Sequence, residues 1–251
     1  MSYFLVSLFG MIELSKSRML KIAIYKTELA EIIKICGPQI IHLLSGVILA
    51  LSDRFVIQRY LGNSSVGIYS AYYTLGMGAV ILIDGITRVW SPQTYKLLND
   101  ENAKSHTEIS VVIQGIAITF VTFLAVYMAC IYLLQGIILA KPYLGLFPIF
   151  VLVVLGYFFQ GLYKLMFPIF IHFSRSGTVA TINAVGAFIN LALCILLINK
   201  YGLYGIAFAT LIAFMLIAVS MYIYLRKFFN LQLFGPIQIK RFLNALRDSS
   251  I

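Results

Sequence analysis

Long stretches without a charged side chain constrain this sequence most. Six of them lie between consecutive charged residues, at 35–52, 60–83, 109–140, 142–163, 176–199 and 201–225. Each is close to or longer than the ~20 apolar residues that a helix needs to cross the hydrocarbon core of a bilayer. Because lipid offers no partners to backbone N–H and C=O groups, such segments must be helical. The sequence therefore predicts an all-α integral membrane protein.

The predicted fold is a six-helix transmembrane bundle over residues 35–225. Its spans are predicted at 35–57, 66–90, 109–134, 144–171, 177–198 and 203–225. Residues 1–34 are predicted to hold the remnant of an earlier membrane helix, followed by an amphipathic linker on the cytoplasmic face. A plain solvated linker is the open alternative. Residues 226–251 are predicted to be a basic cytoplasmic tail resting on membrane lipids.

The charge distribution explains the basic balance of the chain. Only 11% of the 251 residues are charged, yet the formal net charge is +10. If the segment before the first span is cytoplasmic, that side holds all but four of the 19 Lys and Arg residues; the exceptions are Arg54, Arg59, Lys141 and Lys200. This bias follows the positive-inside rule. It predicts a multi-pass protein of the cytoplasmic (inner) membrane and gives no reason to expect nucleic acid as a partner.

Motifs for enzyme chemistry are missing from the sequence. Cys36, Cys130 and Cys194 are widely spaced and lie among apolar residues, without the spacing of a metal site or a disulfide framework. No nucleophile elbow or phosphate-cradling glycine loop occurs either. We therefore expect no metal, no cofactor and no enzymatic activity.

Polar residues inside the spans recur at helical spacing and mark candidate site residues. The main ones are His42 and Asp53 in the first span, Asp84 and Arg88 in the second, Lys164 in the fourth and Asn190 in the fifth. A charge at mid-membrane costs roughly 2.5–3.5 kcal/mol on insertion scales, so the ionic groups should face the bundle interior or a wet cavity.

Each candidate also has a structural interpretation. Asp84 and Arg88 are four residues apart and could form an ion pair along one helix. Lys164 could extend its ammonium to the inner headgroups. His42 could be a hydrogen-bonded packing residue, and Asn190 could join neighbouring helices by hydrogen bonds.

Four motifs, in order, resemble one family. They are "SDRFVIQRYLGNSSVGIYSAYYTLGMG", "VWSPQTYKLL", "GYFFQGLYKLMF" and "INLALCILLINKYGLYGIAFATLIAF". Together they are similar to the second half of polysaccharide-export flippases, the Wzx-like branch of the multidrug/oligosaccharidyl-lipid/polysaccharide superfamily. Asp84 is a departure, because that span is usually neutral at this position. The resemblance implies one six-helix half of a two-bundle flippase, with a second six-helix half as a possible partner.

The resemblance also implies a substrate. It would be an undecaprenyl-pyrophosphate-linked oligosaccharide, moved to the outer leaflet by alternating access. The expected substrate-cavity residues are Asp53, Arg54, Asp84, Arg88, Lys164 and Asn190. Coupling to an ion gradient would use His42, Asp53 or Asp84. Two alternatives stay open: a drug or cation antiporter of the same superfamily, and a truncated half that is inactive or depends on a partner.

The adjacent pair Asp53-Arg54 has two interpretations. The guanidinium of Arg54 could bind the phosphates of the lipid carrier in a two-pronged manner, with Asp53 orienting it or meeting a co-transported cation. Alternatively, the two residues form an interfacial ion pair that anchors the end of the helix before the turn at Gly62.

Overall fold

The computed structural model describes residues 26–99, 105–140, 143–230 and 233. Four α-helices account for almost all of them: α1 Lys26–Asn99, α2 Ser105–Ile138, α3 Phe147–His172 and α4 Ser176–Phe229. No strand occurs among the described residues, which confirms the all-α prediction. Most of the predicted linker (1–34) and of the predicted basic tail (226–251) lies outside the described residues.

Each of the four helices is long and apolar enough to cross a membrane. Two of them are much longer than one crossing needs, since α1 has 74 residues and α4 has 54. At 1.5 Å per residue, straight helices of these lengths would measure about 110 and 80 Å, against a hydrocarbon core of about 30 Å. Neither α1 nor α4 can therefore lie straight across one bilayer.

A single glycine interrupts each long helix. Gly62 has φ 80° and ψ 173°, and Gly202 has φ 56° and ψ −135°, values that glycine adopts without steric cost. The helical backbone resumes directly after each glycine, so no loop separates the segments on either side. The predicted count of six helices is therefore not supported, and the described residues contain four.

Contacts across these glycines show that each long helix folds back on itself. The guanidinium carbon of Arg54 lies 4.5 Å from the centre of the Tyr73 ring, across Gly62. Asn190 Nδ2 donates a hydrogen bond to Thr210 Oγ1 at 3.4 Å, across Gly202. We call 38–61 and 63–99 the first and second arms of α1, and 176–201 and 203–229 the first and second arms of α4.

The chain divides into two units after Gly37, and the described residues from Pro38 onward belong to the second unit. Within the second unit, buried aromatic side chains fill the core, and polar contacts fix the helices to one another. Trp90 Nε1 donates to the Leu165 carbonyl at 3.1 Å and so joins the second arm of α1 to α3. The Tyr127 hydroxyl of α2 donates to the Leu75 carbonyl at 2.5 Å. These contacts hold α1, α2 and α3 in a fixed register.

Candidate functional site

Asp53 is a fully buried carboxylate in the first arm of α1. Its Oδ1 accepts hydrogen bonds from the backbone N–H of Arg54 at 2.7 Å and from Arg54 Nη1 at 3.4 Å. Its Oδ2 has no hydrogen-bond partner among the described residues. The buried Tyr69 hydroxyl faces the carboxylate without meeting the geometry of a hydrogen bond. Because a buried carboxylate needs compensating partners, Oδ2 is a place where a proton or a cation could bind.

Arg54 is held mainly by its own helix. Its Nη1 donates to the Ala50 carbonyl at 2.5 Å, while its guanidinium lies over the Tyr73 ring. Tyr73 in turn makes an edge-on contact with Tyr157 of α3, with the ring centres 5.8 Å apart. The Arg54 side chain remains 26% exposed, so its guanidinium is oriented by the protein and can still be reached by a ligand.

Asn190 joins three helical segments. Its Oδ1 accepts a hydrogen bond from the Ser52 hydroxyl at 3.3 Å, and its Nδ2 donates to Thr210. Asn190, Ser52 and Thr210 are all buried. This geometry fits the helix-joining interpretation of Asn190 and links it to the residue next to Asp53. We call Ser52, Asp53, Arg54, Tyr69, Tyr73, Tyr157, Asn190 and Thr210 the Asp53 cluster.

A second group of polar residues surrounds Lys164. Lys164 Nζ lies 2.6 Å from Asp84 Oδ1, and the two side chains are 26% and 42% exposed. The pair connects α3 to the second arm of α1. The sequence suggested an ion pair between Asp84 and Arg88 along one helix. Asp84 pairs with Lys164 instead. Arg88 is exposed and has no ion pair among the described residues.

His42 belongs to the same group. Its ring stacks on Phe167, with the ring centres 5.2 Å apart, and it lies within electrostatic reach of the Lys164 ammonium. Its buried Nδ1 lacks a hydrogen-bond partner among the described residues, as does the buried Oε1 of Gln160, one turn before Lys164. We call His42, Asp84, Arg88, Gln160 and Lys164 the Lys164 cluster.

The predicted site residues thus lie in two places. Tyr157 and Lys164 are seven residues apart on α3, so the clusters are separated by about 10 Å along that helix. His42 and Asp53 are eleven residues apart, or about 16 Å. None of the pockets described in this part of the chain is lined by the predicted site residues. The described residues from Pro38 onward bring them to two separate polar clusters.

Sequence reasoning missed Ser52. A single hydroxyl beside a charged residue carries no periodic signal, and its partner Asn190 is 138 residues away. Tyr69, Tyr73 and Tyr157 do follow the helical spacing of the polar stripes, which is the signal that could have added them to the site.

Residues 3–98 match the family of polysaccharide biosynthesis proteins. This match agrees with the predicted family over that segment, which is less than half of the chain. The matched segment contains His42, Asp53, Arg54, Asp84 and Arg88, while Lys164 and Asn190 lie beyond it. No curated protein and no solved structure matches the chain significantly. The family match, together with four helices long and apolar enough to cross a membrane, indicates a multi-pass membrane protein with a transporter-type role.

Proposed function

We propose that this chain is a flippase-type transporter that moves a lipid-pyrophosphate-linked oligosaccharide from the cytoplasmic to the outer leaflet of the cytoplasmic membrane. The observation that carries the proposal is the half-exposed ion pair between Asp84 and Lys164, with exposed Arg88 one turn away. Charged groups at lipid depth are costly unless they face water or a partner. The exposure of these charged groups therefore supports a hydrated path along this face of the bundle.

The membrane topology that we propose has six crossings. Each arm of α1 and of α4 would cross the bilayer separately, since the arms lie side by side and each is long enough to span it. With the basic residues on the cytoplasmic side, Gly62 and Gly202 would lie near the outer surface. The Asp53 cluster would then lie toward the outer face and the Lys164 cluster toward the inner face.

This arrangement suggests how a pyrophosphate group would be handled. Lys164 and Arg88 would receive it near the cytoplasmic leaflet, and Arg54 would receive it nearer the outer leaflet. The lipid tail would stay in the bilayer throughout. A second six-helix half would complete the path opposite this bundle, so that the two bundles alternate in exposing it to either side.

Ion coupling would use the free oxygen of Asp53. Proton or cation binding at Oδ2 would change the charge beside Arg54 and hence the hold of the guanidinium on phosphate. The same buried acid is the observation that favours the second candidate, a drug or cation antiporter. Against that candidate, Asp84 is neutralised by Lys164, which leaves cations in excess in the Lys164 cluster.

Transport in proteoliposomes tests the proposal. The full chain, with and without a candidate partner half, is reconstituted with a labelled lipid-pyrophosphate oligosaccharide, and the label's access to an impermeant glycosidase is followed. Arg54→Lys should slow transport about tenfold or more, because an ammonium cannot reproduce two-pronged phosphate binding. Arg59→Lys, an exposed neighbour beside the turn, is the matched control. Transport that is equal for the two variants would refute phosphate recognition by Arg54, and uptake of a cationic drug instead would favour the antiporter.

A further inference from the structure

The ion pair between Asp84 and Lys164 uses only part of the hydrogen-bonding capacity of the Lys164 ammonium. Among the described residues, Lys164 Nζ donates a single hydrogen bond, to Asp84 Oδ1, although an ammonium carries three donors. Both side chains remain partly exposed, so a ligand can reach the ammonium without first opening the core. Two further buried polar atoms, His42 Nδ1 and Gln160 Oε1, have no hydrogen-bond partner among the described residues.

The charges around this pair are unequal. His42 from the first arm of α1 and Tyr163 from α3 lie within electrostatic reach of the pair. Arg88 is one helical turn from Asp84 on the second arm of α1, and Gln160 is one turn from Lys164 on α3. Lys164 and Arg88 supply two positive charges, and Asp84 supplies one negative charge. Without the Asp84 carboxylate the cluster would therefore hold two cations and no anion, and it would release a bound anion slowly.

We propose that Asp84 is a tethered competitor of the transported anion: its carboxylate occupies Lys164 when the site is empty and returns there to drive the anion off. A diphosphate carries more negative charge and more acceptor oxygens than one carboxylate, so it can displace Asp84 from the ammonium. Since Asp84 stays in reach on the second arm of α1, its return lowers the affinity of the site and speeds release. Asp84 thus makes binding of the anion weaker and its transport faster.

The exchange also has a mechanical consequence. The pair between Asp84 and Lys164 joins the second arm of α1 to α3, and displacement of the carboxylate removes that ion pair while the Trp90–Leu165 hydrogen bond remains. Binding of the anion therefore removes the ionic link between the two helices and leaves them joined through Trp90 and Leu165. This inference rests on the proposed function for the identity of the anion.

Binding of inorganic pyrophosphate to the full chain in phosphatidylcholine nanodiscs tests the inference without any transport step. Asp84→Asn removes the competing charge and should bind pyrophosphate at least about fivefold more tightly than the natural chain, the lower end of usual coupling between sites. Lys164→Gln should bind much more weakly. Glu108→Gln is the matched control, because it removes an exposed acid from the first turn of α2 and should leave the affinity unchanged.

Equal or weaker pyrophosphate binding by Asp84→Asn would overturn the inference, as would undiminished binding by Lys164→Gln. If Asp84→Asn does not fold, Asp84→Ser makes the same test, because a hydroxyl accepts a hydrogen bond from the ammonium but carries no charge. Repeating the titration with phosphatidylglycerol in the nanodisc separates two sources of phosphate. If that lipid abolishes binding to Asp84→Asn, the anion is a phospholipid headgroup and the inference about the transported substrate is overturned.

The outcomes for the two proposals can be told apart. Tighter pyrophosphate binding by Asp84→Asn, with no glycan transport by the natural chain, would support the competitor and refute the proposed function. Transport by the natural chain, with unchanged pyrophosphate binding by Asp84→Asn, would refute the competitor alone. Where both hold, Asp84→Asn should transport with a lower KM and a lower kcat, since it binds the anion well and releases it slowly.

Discussion

Buried amides and carboxylates distinguish the interior of this bundle from a plain hydrocarbon core. Asn190 and Asn183 lie on the same arm of α4 and both are buried, but their hydrogen bonds differ. Asn183 Nδ2 donates to the Val179 carbonyl of its own helix at 2.9 Å. Asn190 instead connects Ser52 of α1 with Thr210 of the opposite arm. Only the second arrangement can hold separate helical segments together.

Replacing Asn190 should therefore weaken the bundle more than replacing Asn183. Asn190→Ala leaves the buried Ser52 hydroxyl without its acceptor, and we expect a loss of about 1 kcal/mol in the free energy of unfolding. Asn183→Ala breaks only a bond within one turn and should cost clearly less. Unfolding of both variants in mixed detergent micelles measures the difference. An equal or larger loss for Asn183→Ala would contradict the helix-joining role of Asn190.

At the scale of the elements, the close approach of the two arms of α4 depends on small residues. A Cβ atom at Gly205 would lie 2.7 Å from the carbonyl oxygen of Leu197 and 2.9 Å from its Cβ. Because one of these atoms belongs to the backbone, the arms would have to separate to admit a methyl group. At Gly85, on the exposed side of α1, the same Cβ would meet nothing within 4 Å.

Gly205→Ala should accordingly lower the free energy of unfolding by about 1–3 kcal/mol, the usual effect of overpacking. Gly85→Ala is the matched control and should leave it unchanged or raise it slightly, because alanine is the better helix former. The same micelle unfolding experiment compares them. If Gly205→Ala is as stable as the control, the arms are not in the close contact described above.

The helices also show which features of the fold and of the site can be predicted from the sequence. The charge-free stretches predicted apolar helical segments, because about 20 apolar residues form a helix as long as the hydrocarbon core is thick. They could not show that the helix would continue on either side of Gly62 and Gly202. Spacing also suggested Arg88 as the partner of Asp84, since only neighbours along one helix can be read from spacing. Lys164 is 80 residues away, and its contact depends on tertiary packing.

At the scale of the whole molecule, the number of membrane crossings decides at which depths of the bilayer the two polar clusters lie. A path for a lipid-linked anion needs the Lys164 cluster and the Asp53 cluster at different depths of one bilayer. Six crossings with a cytoplasmic first segment would meet this need, with Gly62 and Gly202 near one surface and the connection between α3 and α4 near the other. Four crossings would place the α3–α4 connection on the opposite side.

Labelling of single cysteines separates these topologies. After Cys36, Cys130 and Cys194 are replaced by serine or alanine, one cysteine is introduced at Asn63, Ser174 or Asn199, all of which are exposed. Six crossings predict that an impermeant maleimide reaches Asn63→Cys and Asn199→Cys in intact cells, but reaches Ser174→Cys only after permeabilisation. Four crossings predict labelling of Ser174→Cys in intact cells and none at the other two positions. A complete reversal of the six crossings would also label Ser174→Cys in intact cells, but Asn63→Cys and Asn199→Cys would then be labelled after permeabilisation. That result would contradict the positive-inside orientation and would assign the Lys164 cluster to the outer leaflet.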